Sequence, residues 1–146
     1  IAIKGETKII DSKAISLSST EIQFKISNIK DIVYQFKLSN TLGDKLLFGY
    51  DSNKKIFFVD KRKSGKTGFS EKFANKISVA KRTSTNKEFS GTILLDKTSI
   101  EIFYDNGETT MTEIFFPKAP YDKLTIGSEN NEFTLENIEI HELNFN

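Results

Sequence analysis

The 146-residue chain has no cysteine, no tryptophan and only two prolines. The lack of cysteine excludes disulfides, thiolate metal sites and cysteine nucleophiles. No apolar run approaches the length of a membrane span. The 21 basic residues nearly balance the 20 acidic ones, leaving a net charge of +1. A near-neutral chain does not predict a nucleic acid or an anionic membrane as a partner.

The chain is rich in phenylalanine, with thirteen residues against four tyrosines, and this composition favours strands. Strand-like alternation recurs at residues 21–26, 32–38, 46–50, 55–59, 124–127 and 133–145. Residues 69–80 fit either a short strand or a helical turn. Many short strands with almost no amphipathic helix predict one antiparallel β-sandwich domain over residues 1–146. The chain starts inside a strand-like segment without an initiator methionine, so we expect it to be part of a larger protein.

The stretch 94–117 dominates the pattern. It reads as a strand, a turn, a second strand, an Asn106-Gly107 turn and a long closing strand. In the central strand, successive side chains point to opposite faces, one apolar and the other bearing carboxylates beside an aromatic ring. The apolar face is Ile100, Ile102 and Tyr104, and the opposite face is Glu101, Phe103 and Asp105.

Several chemical motifs are weak. Ser64-Gly65 resembles the end of a phosphate-binding loop, but Asp60 stands where that motif needs glycine, so a solvated loop is favoured. The adjacent basic residues 61–63 are also expected to be solvated. His141 is the only histidine, and a surface or packing role is favoured over a zinc site or a catalytic triad.

A glycosidase needs two carboxylates close together. Glu101 and Asp105 are four residues apart, about 13 Å along a strand. Retaining glycosidases need about 5 Å and inverting ones less than about 10 Å. This pair therefore does not predict catalysis. No cofactor is expected, and no metal-binding loop motif is recognisable, although a calcium ion near Asp51 or Asp105 stays open.

Carboxylates and guanidinium groups at strand ends have another use, because they match the adjacent hydroxyls of a sugar. An aromatic ring can then cover the apolar sugar face. The candidate carbohydrate-binding residues are Asp60, Arg82, Asp96 and Glu101, with Phe103 or Tyr50 as the aromatic. The alternative, favoured by composition alone, is a buried salt-bridge network that only ties strands together.

The same region resembles the C-terminal β-sandwich module of glycoside hydrolase family 32, the invertase, levanase and inulinase family. The similar blocks are residues 58–60, 63–65, 69–73, 95–96, 99–103, 106–108, Thr112 and 116–117. Lys61 and Lys97 stand where the family usually has arginine after each aspartate. Arg62 lies one position later than the first of these arginines.

The resemblance implies an all-β fold, a two-sheet antiparallel β-sandwich of the concanavalin A-like or jelly-roll type. In complete enzymes this module follows a catalytic β-propeller, so the chain is expected to be non-catalytic by itself. Similar modules, grouped as carbohydrate-binding module family 66, hold terminal fructose units of levan or related fructans. The implied partners are a fructan or fructose and the catalytic propeller of the same parent chain, in a secreted, cell-surface or periplasmic setting.

Three functions follow from these observations. The first is a fructan-binding module that uses the six candidate residues. The second is a structural domain that stabilises a neighbouring propeller; an exposed apolar strip together with an occluded polar cluster would favour it. An independent enzyme is the weakest of the three.

Overall fold

The computed structural model describes residues 2–11, 19–65 and 77–142. These residues form strands joined by turns, and none of them lies in an α-helix. No helix in this part of the chain could therefore span a membrane. The strands are β1 (Ala2–Asp11), β2 (Thr20–Ile26), β3 (Val33–Ser39), β4 (Lys45–Asp51), β5 (Ile56–Asp60), β6 (Ile77–Lys81), β7 (Phe89–Leu95), β8 (Ser99–Tyr104), β9 (Thr109–Ile114) and β10 (Lys123–Glu142).

Most of the expected strands are present, and the all-β prediction is confirmed. Of the ambiguous segment 69–80, the last residues form β6 and residues 69–76 lie outside the described ranges. Residues 124–127 and 133–142 are in a strand as expected, but the separation into two strands was wrong, because β10 runs through both; residues 143–145 lie outside the described ranges. It is continuous because β1 pairs with it along residues 123–127 and again along 132–134.

β10 connects two layers. Its residues 123–127 pair with β3, and residues 135–142 pair with β2. Layer A is β6-β5-β4-β3 with the first part of β10, and layer B is the second part of β10 with β2-β7-β8-β9. All these pairings are antiparallel. Hydrogen bonding thus continues from one layer into the other, and the layers are parts of a single, nearly closed sheet.

Aromatic rings join the layers across the core. The ring of Phe57 in layer A stacks on Tyr104 in layer B, with centroids 3.8 Å apart. Phe24 meets Phe36 at 4.8 Å, in the same way across the two layers. Such pairs add packing energy beyond the apolar area that they bury. Seven of the phenylalanines are buried here: Phe24, Phe36, Phe48, Phe57, Phe89, Phe115 and Phe133.

The hairpin around Asn106 departs from the expectation at its tip. Ile100, Ile102 and Tyr104 are buried, as the alternation predicts. Asp105, however, does not join Glu101 on the exposed face, because β8 ends at Tyr104. The turn Asp105–Gly107 has positive φ at all three residues, 52°, 58° and 90°. This backbone turns the Asp105 side chain inward, where it is buried.

The edge strands β6 and β9 are the two ends of the sheet order. Side chains, rather than a backbone ladder, connect them. At one end the ammonium of Lys61, the residue after the neighbouring strand β5, lies 3.1 Å from the Glu113 carboxylate of β9 and donates to the carbonyl of Ile114. At the other end the Thr109 hydroxyl donates to the carbonyl of Lys81 at 3.4 Å. These contacts protect edges that would otherwise be open to pairing with other chains.

A buried carboxylate anchors the segment after β9. Asp44 accepts hydrogen bonds from the backbone N–H of Lys118 at 2.7 Å and from the Asn40 side chain at 3.1 Å. Asn40 also donates to the carbonyl of Ala119. Burial raises the pKa of Asp44, but the hydrogen bonds from Asn40 and Lys118 outweigh it and hold the pKa below its usual range.

We expect Lys61→Met to lower the free energy of unfolding by about 1–3 kcal/mol, because the nearly buried Glu113 then loses its cation. In the double variant Lys61→Met/Glu113→Leu, the loss should be smaller than the sum of the two single losses. Urea unfolding of all four proteins measures this coupling. Additive losses would show that the pair does not hold the edges together.

We expect Asp44→Asn to cost about 1–3 kcal/mol at neutral pH, because the charged acceptor is removed. A lowered folded pKa means that the contribution is complete above the unfolded pKa, about 3.9, and is lost as the pH falls through the lower folded value. The variant should therefore lose less stability on acidification than the wild type. Urea unfolding from pH 7 to pH 2 is the measurement, with the exposed Glu136→Gln as control; parallel acid profiles for wild type and Asp44→Asn would contradict it.

Candidate functional site

Arg82 is held in a buried ion pair. Its Nε donates to Oδ2 of Asp105 at 2.9 Å, and its Nη2 donates to Oδ1 at 3.2 Å. The two side chains are only 5% and 6% exposed. The positive-φ turn after β8 delivers the carboxylate, and the end of β6 delivers the guanidinium. The pair joins the two edge strands of the sheet at this end.

The remaining donors of Arg82 serve the backbone. Nη1 donates to the carbonyl of Asn86 at 3.0 Å, and Nη2 to that of Glu88 at 2.8 Å. The guanidinium also lies 5.4 Å from the centre of the Tyr50 ring. Burial lowers the pKa of Arg82, but the partners Asp105 and Tyr50 outweigh it and raise the pKa above its usual value. Arg82 and Tyr50 are thus together, as parts of an internal network.

Asp60 is the last residue of β5, whereas Arg82 lies beside Lys55, just before the start of that strand. Arg62 forks onto its carboxylate, with Nε 2.9 Å from Oδ1 and Nη2 2.8 Å from Oδ2. These hydrogen bonds hold the pKa of Asp60 below its usual range, against the opposing effect of burial. Lys45 and Lys63 line a cavity of about 110 Å³ beside the fork. Arg62, one residue later than the family pattern, therefore supplies a guanidinium to this aspartate.

The other three candidates belong to layer B. Asp96 is exposed in the β7–β8 turn, where Oδ1 accepts from the backbone N–H of Lys97 at 2.7 Å. Glu101 is exposed and Phe103 half-buried on the outer face of β8. Their cross-strand neighbours in β9 are Thr112 and Thr110. This outer face is mainly polar.

The structure does not bring the six candidates into one pocket. In the β5–β6 ladder, Asp60 pairs with Ile77 at one end and Ile56 pairs with Lys81 at the other. Asp60 and Arg82 are therefore about 16 Å apart along the strands. Tyr50 and Arg82 form one group, Glu101 and Phe103 a second, and Asp60 and Asp96 lie separately. A sugar of one or two units cannot touch all of them.

The residues that set this chain apart from the family pattern have different surroundings. Lys61 is nearly buried against Glu113, whereas Lys97 is exposed and lines an apolar cavity of about 470 Å³ with Phe116 and Pro117. Ser64, in the loop that resembles a phosphate site, donates its hydroxyl to the carbonyl of Lys61, and residues 66–67 lie outside the described ranges. In the part of the chain that the structure describes, no three metal-binding side chains cluster.

One group of polar residues was not predicted. Residues 81–90 look like a simple polar connection in the sequence, yet the Arg82 side chain bonds the carbonyls of Asn86 and Glu88 within it. Backbone hydrogen bonds join the segment to Ile29, after β2, and to Lys55, after β4. The segment lines a cavity of about 380 Å³ together with Asp31, Ser52 and Lys55. A run of hydroxyl and amide side chains directly after an arginine, residues 83–86, is the signal that the sequence offered.

The outer face of layer A is unusually apolar. Val33, Ile77 and Val79 are 37%, 43% and 59% exposed. Together with the half-buried Ile56 and Phe58 they line one surface, with Asp51 and Asp60 among them, and the five apolar residues are termed the apolar outer strip. A cavity of about 340 Å³ lies along it, and a second of about 470 Å³ continues from Val33 and Gln35 to Gly127.

Comparison with known proteins shows the family of this chain. The family model for the C-terminal domain of glycosyl hydrolases family 32 matches residues 2–142. The invertase of Schwanniomyces occidentalis is 27% identical over an alignment that covers 97% of this chain and 28% of the invertase. The chain therefore spans less than a third of that relative.

Solved structures have the same fold. Exo-inulinase from Aspergillus awamori matches with a TM-score of 0.73 at 21% identity, over 96% of this chain and 28% of that one. Fructofuranosidase from Schwanniomyces occidentalis complexed with fructose matches with a TM-score of 0.64 at 20% identity, over 98% and 34%. These likenesses show a shared β-fold. With the family match over residues 2–142, the chain belongs to the family 32 glycosyl hydrolase C-terminal domains.

Proposed function

We propose that this domain is a non-catalytic part of a fructan- or sucrose-cleaving enzyme and that it stabilises the catalytic domain of the same parent chain. The observation that carries the proposal is the apolar outer strip. Exposed apolar patches bordered by polar residues are typical of interaction surfaces. We also propose that the domain is a β-sandwich of the concanavalin-like type and that its parent enzyme is secreted or attached to the cell surface.

The sequence of β5 supports a covered outer face. Its first four residues, Ile56-Phe57-Phe58-Val59, are apolar, so both faces of the strand are apolar up to Asp60, the last residue. A strand with one face in water alternates with polar residues instead, whereas a continuous apolar run is typical of strands covered on both sides. Layer B also has apolar outer side chains, Leu94, Phe103 and Ile114, but each has polar cross-strand neighbours. In layer A, Phe58 pairs directly with Val79. The asymmetry favours layer A as the docking face.

The nature of the occupant follows from the family. The chain corresponds to 28% of the invertase and is matched as a C-terminal domain, so such relatives carry a larger remaining part. A domain within the same chain is already at high effective concentration, and an interface of modest area is then sufficient. We therefore assign the strip to the catalytic domain rather than to a separate protein.

A second candidate function is fructan binding, with fructose or a fructan as the ligand. One observation favours it: the Asp60–Arg62 fork is accessible at the edge of a cavity, with Arg62 55% exposed in its side chain. A carboxylate and a guanidinium side by side offer the acceptors and donors that adjacent sugar hydroxyls require. The dispersal of the other candidates makes this function secondary to the structural one.

We expect Val79→Lys to leave the stability of the isolated chain within about 0.5 kcal/mol, because the side chain is exposed. In a protein that carries this domain and the catalytic domain together, the same change should lower the melting temperature of the catalytic part. Thr112→Lys, also an exposed β-branched position but on the outer face of layer B, is the matched control. Equal effects of the two variants in calorimetry and activity assays would contradict docking through layer A.

The second candidate predicts measurable binding of levan, inulin or fructose to the wild-type chain at millimolar concentration. Isothermal titration is the measurement, with glucose and inorganic phosphate as comparison ligands. Absence of heat with all three fructose-containing ligands would remove fructan binding and leave the docking proposal untouched. The same samples, incubated with sucrose and fructans, should release no free sugar.

A further inference from the structure

A cavity of about 380 Å³ lies beside Arg82 and is termed the Arg82 cavity. Of the six residues expected from the sequence to bind sugar, Arg82 and Tyr50 line it. Three connections surround it: the end of the β2–β3 connection, the β4–β5 turn and residues 82–87 before β7. Its volume lies within the range typical of small-molecule sites, about 300–1,000 Å³. All three connections belong to the described part of the chain.

Backbone hydrogen bonds hold the three connections together. The N–H of Ile29 donates to the carbonyl of Lys87 at 2.8 Å, and the N–H of Arg82 donates to that of Lys55 at 3.0 Å. The N–H of Ser52 donates to the carbonyl of Ile32 at 3.1 Å. Each connection is therefore bonded either to another or to a strand start. A cavity with fixed walls loses little conformational entropy when a ligand enters.

Arg82 makes the far wall rigid. Its guanidinium donates hydrogen bonds to the carbonyls of Asn86 and Glu88, and the Asp105 carboxylate balances its charge. Ser84 adds a local bond, since its hydroxyl accepts from the N–H of Asn86 at 3.2 Å. Arg82 thus acts as a positioning residue for residues 83–87, which line the cavity.

The lining chemistry fits one class of ligand. The walls present four hydroxyls, an amide, a carboxylate and two ammonium groups, contributed by Ser52, Thr83, Ser84, Thr85, Asn86, Asp31, Lys55 and Lys87. This set contains both donors and acceptors, and a polyol is the ligand that uses both at every position. An apolar peptide would leave these groups without partners, at a cost for each one. The carboxylate of Asp31 suits an inorganic anion poorly, because it can only accept hydrogen bonds and is itself negatively charged.

We propose that the Arg82 cavity binds a single sugar unit, with Asp31 and Asn86 as the residues that contact its hydroxyls. The proposal rests on the second candidate function, sugar binding, and gives it a different location from the Asp60, Asp96 and Glu101 positions. Ile29 supplies the apolar contact in the wall. Tyr50 supports the floor rather than stacking on the ligand, since it is only 2% exposed.

The test uses the full chain, titrated with fructose, levan, inulin and glucose, and with inorganic phosphate as the anion arm. Asp31→Asn and Asn86→Ala should each weaken sugar binding about tenfold, the effect of losing one good hydrogen bond. Both side chains are exposed, so the fold should be retained, which urea unfolding checks. Glu136→Gln, an exposed change on β10, should leave binding unchanged. In two-dimensional NMR spectra, sugar should shift the amide signals of residues 52–55 and 83–87.

Three results would overturn the proposal, each with a different consequence. If the wild-type chain binds no sugar, both the site and the second candidate function fail. If Glu101→Gln or Asp60→Asn weakens binding while Asp31→Asn and Asn86→Ala do not, sugar binding stands and this location is wrong. If phosphate binds and sugars do not, the cavity is an anion site. The docking proposal for layer A is unaffected by all three.

Discussion

The backbone hydrogen-bonding requirement of β10 organises the fold. A strand of twenty residues at the junction of two layers must satisfy its N–H and C=O groups along its whole length. It does so with β1 and β3 in its first part and with β2 in its second. Because each layer contains one part of this strand, its backbone links the two layers directly. The aromatic contacts then fill a space whose boundaries β10 defines.

Opposite β10, the edge strands β6 and β9 lie next to each other without a backbone ladder between them. A sheet edge left open there would be able to pair with other chains. Side chains bridge this gap instead: Lys61, after β5, pairs with Glu113 of β9 at one end, and Arg82, after β6, pairs with Asp105 in the β8–β9 turn at the other. Buried ion pairs contribute little net stability, but separating the partners leaves an unpaired buried charge, which is strongly destabilising. The alignment that keeps both pairs together is therefore favoured.

The use of charged side chains in internal ion pairs explains why the six candidate sugar-binding residues lie in separate places. Carboxylate and guanidinium groups suit both a sugar and an internal ion pair, and composition cannot separate the two. In Arg82 the internal role prevails, because its partner Asp105 arrives through a turn of three positive-φ residues. Alternation along β8 placed Asp105 on the wrong face, since alternation applies only while the backbone stays extended. Residues 83–86 are polar at every position and show no alternation, so their sequence does not indicate which elements they contact.

The amino-acid sequence by itself determined the strand class, the buried face of β8, the hairpin at Asn106 and the family resemblance. These features are local, because they depend on alternation and turn residues within a few positions. Only the tertiary structure decided that residues 124–127 and 133–142 form one strand, that Lys61 faces Glu113 and that Asp60 and Arg82 lie at opposite ends of a ladder. Those facts depend on which strands become neighbours, and neighbours far apart in sequence leave no local pattern.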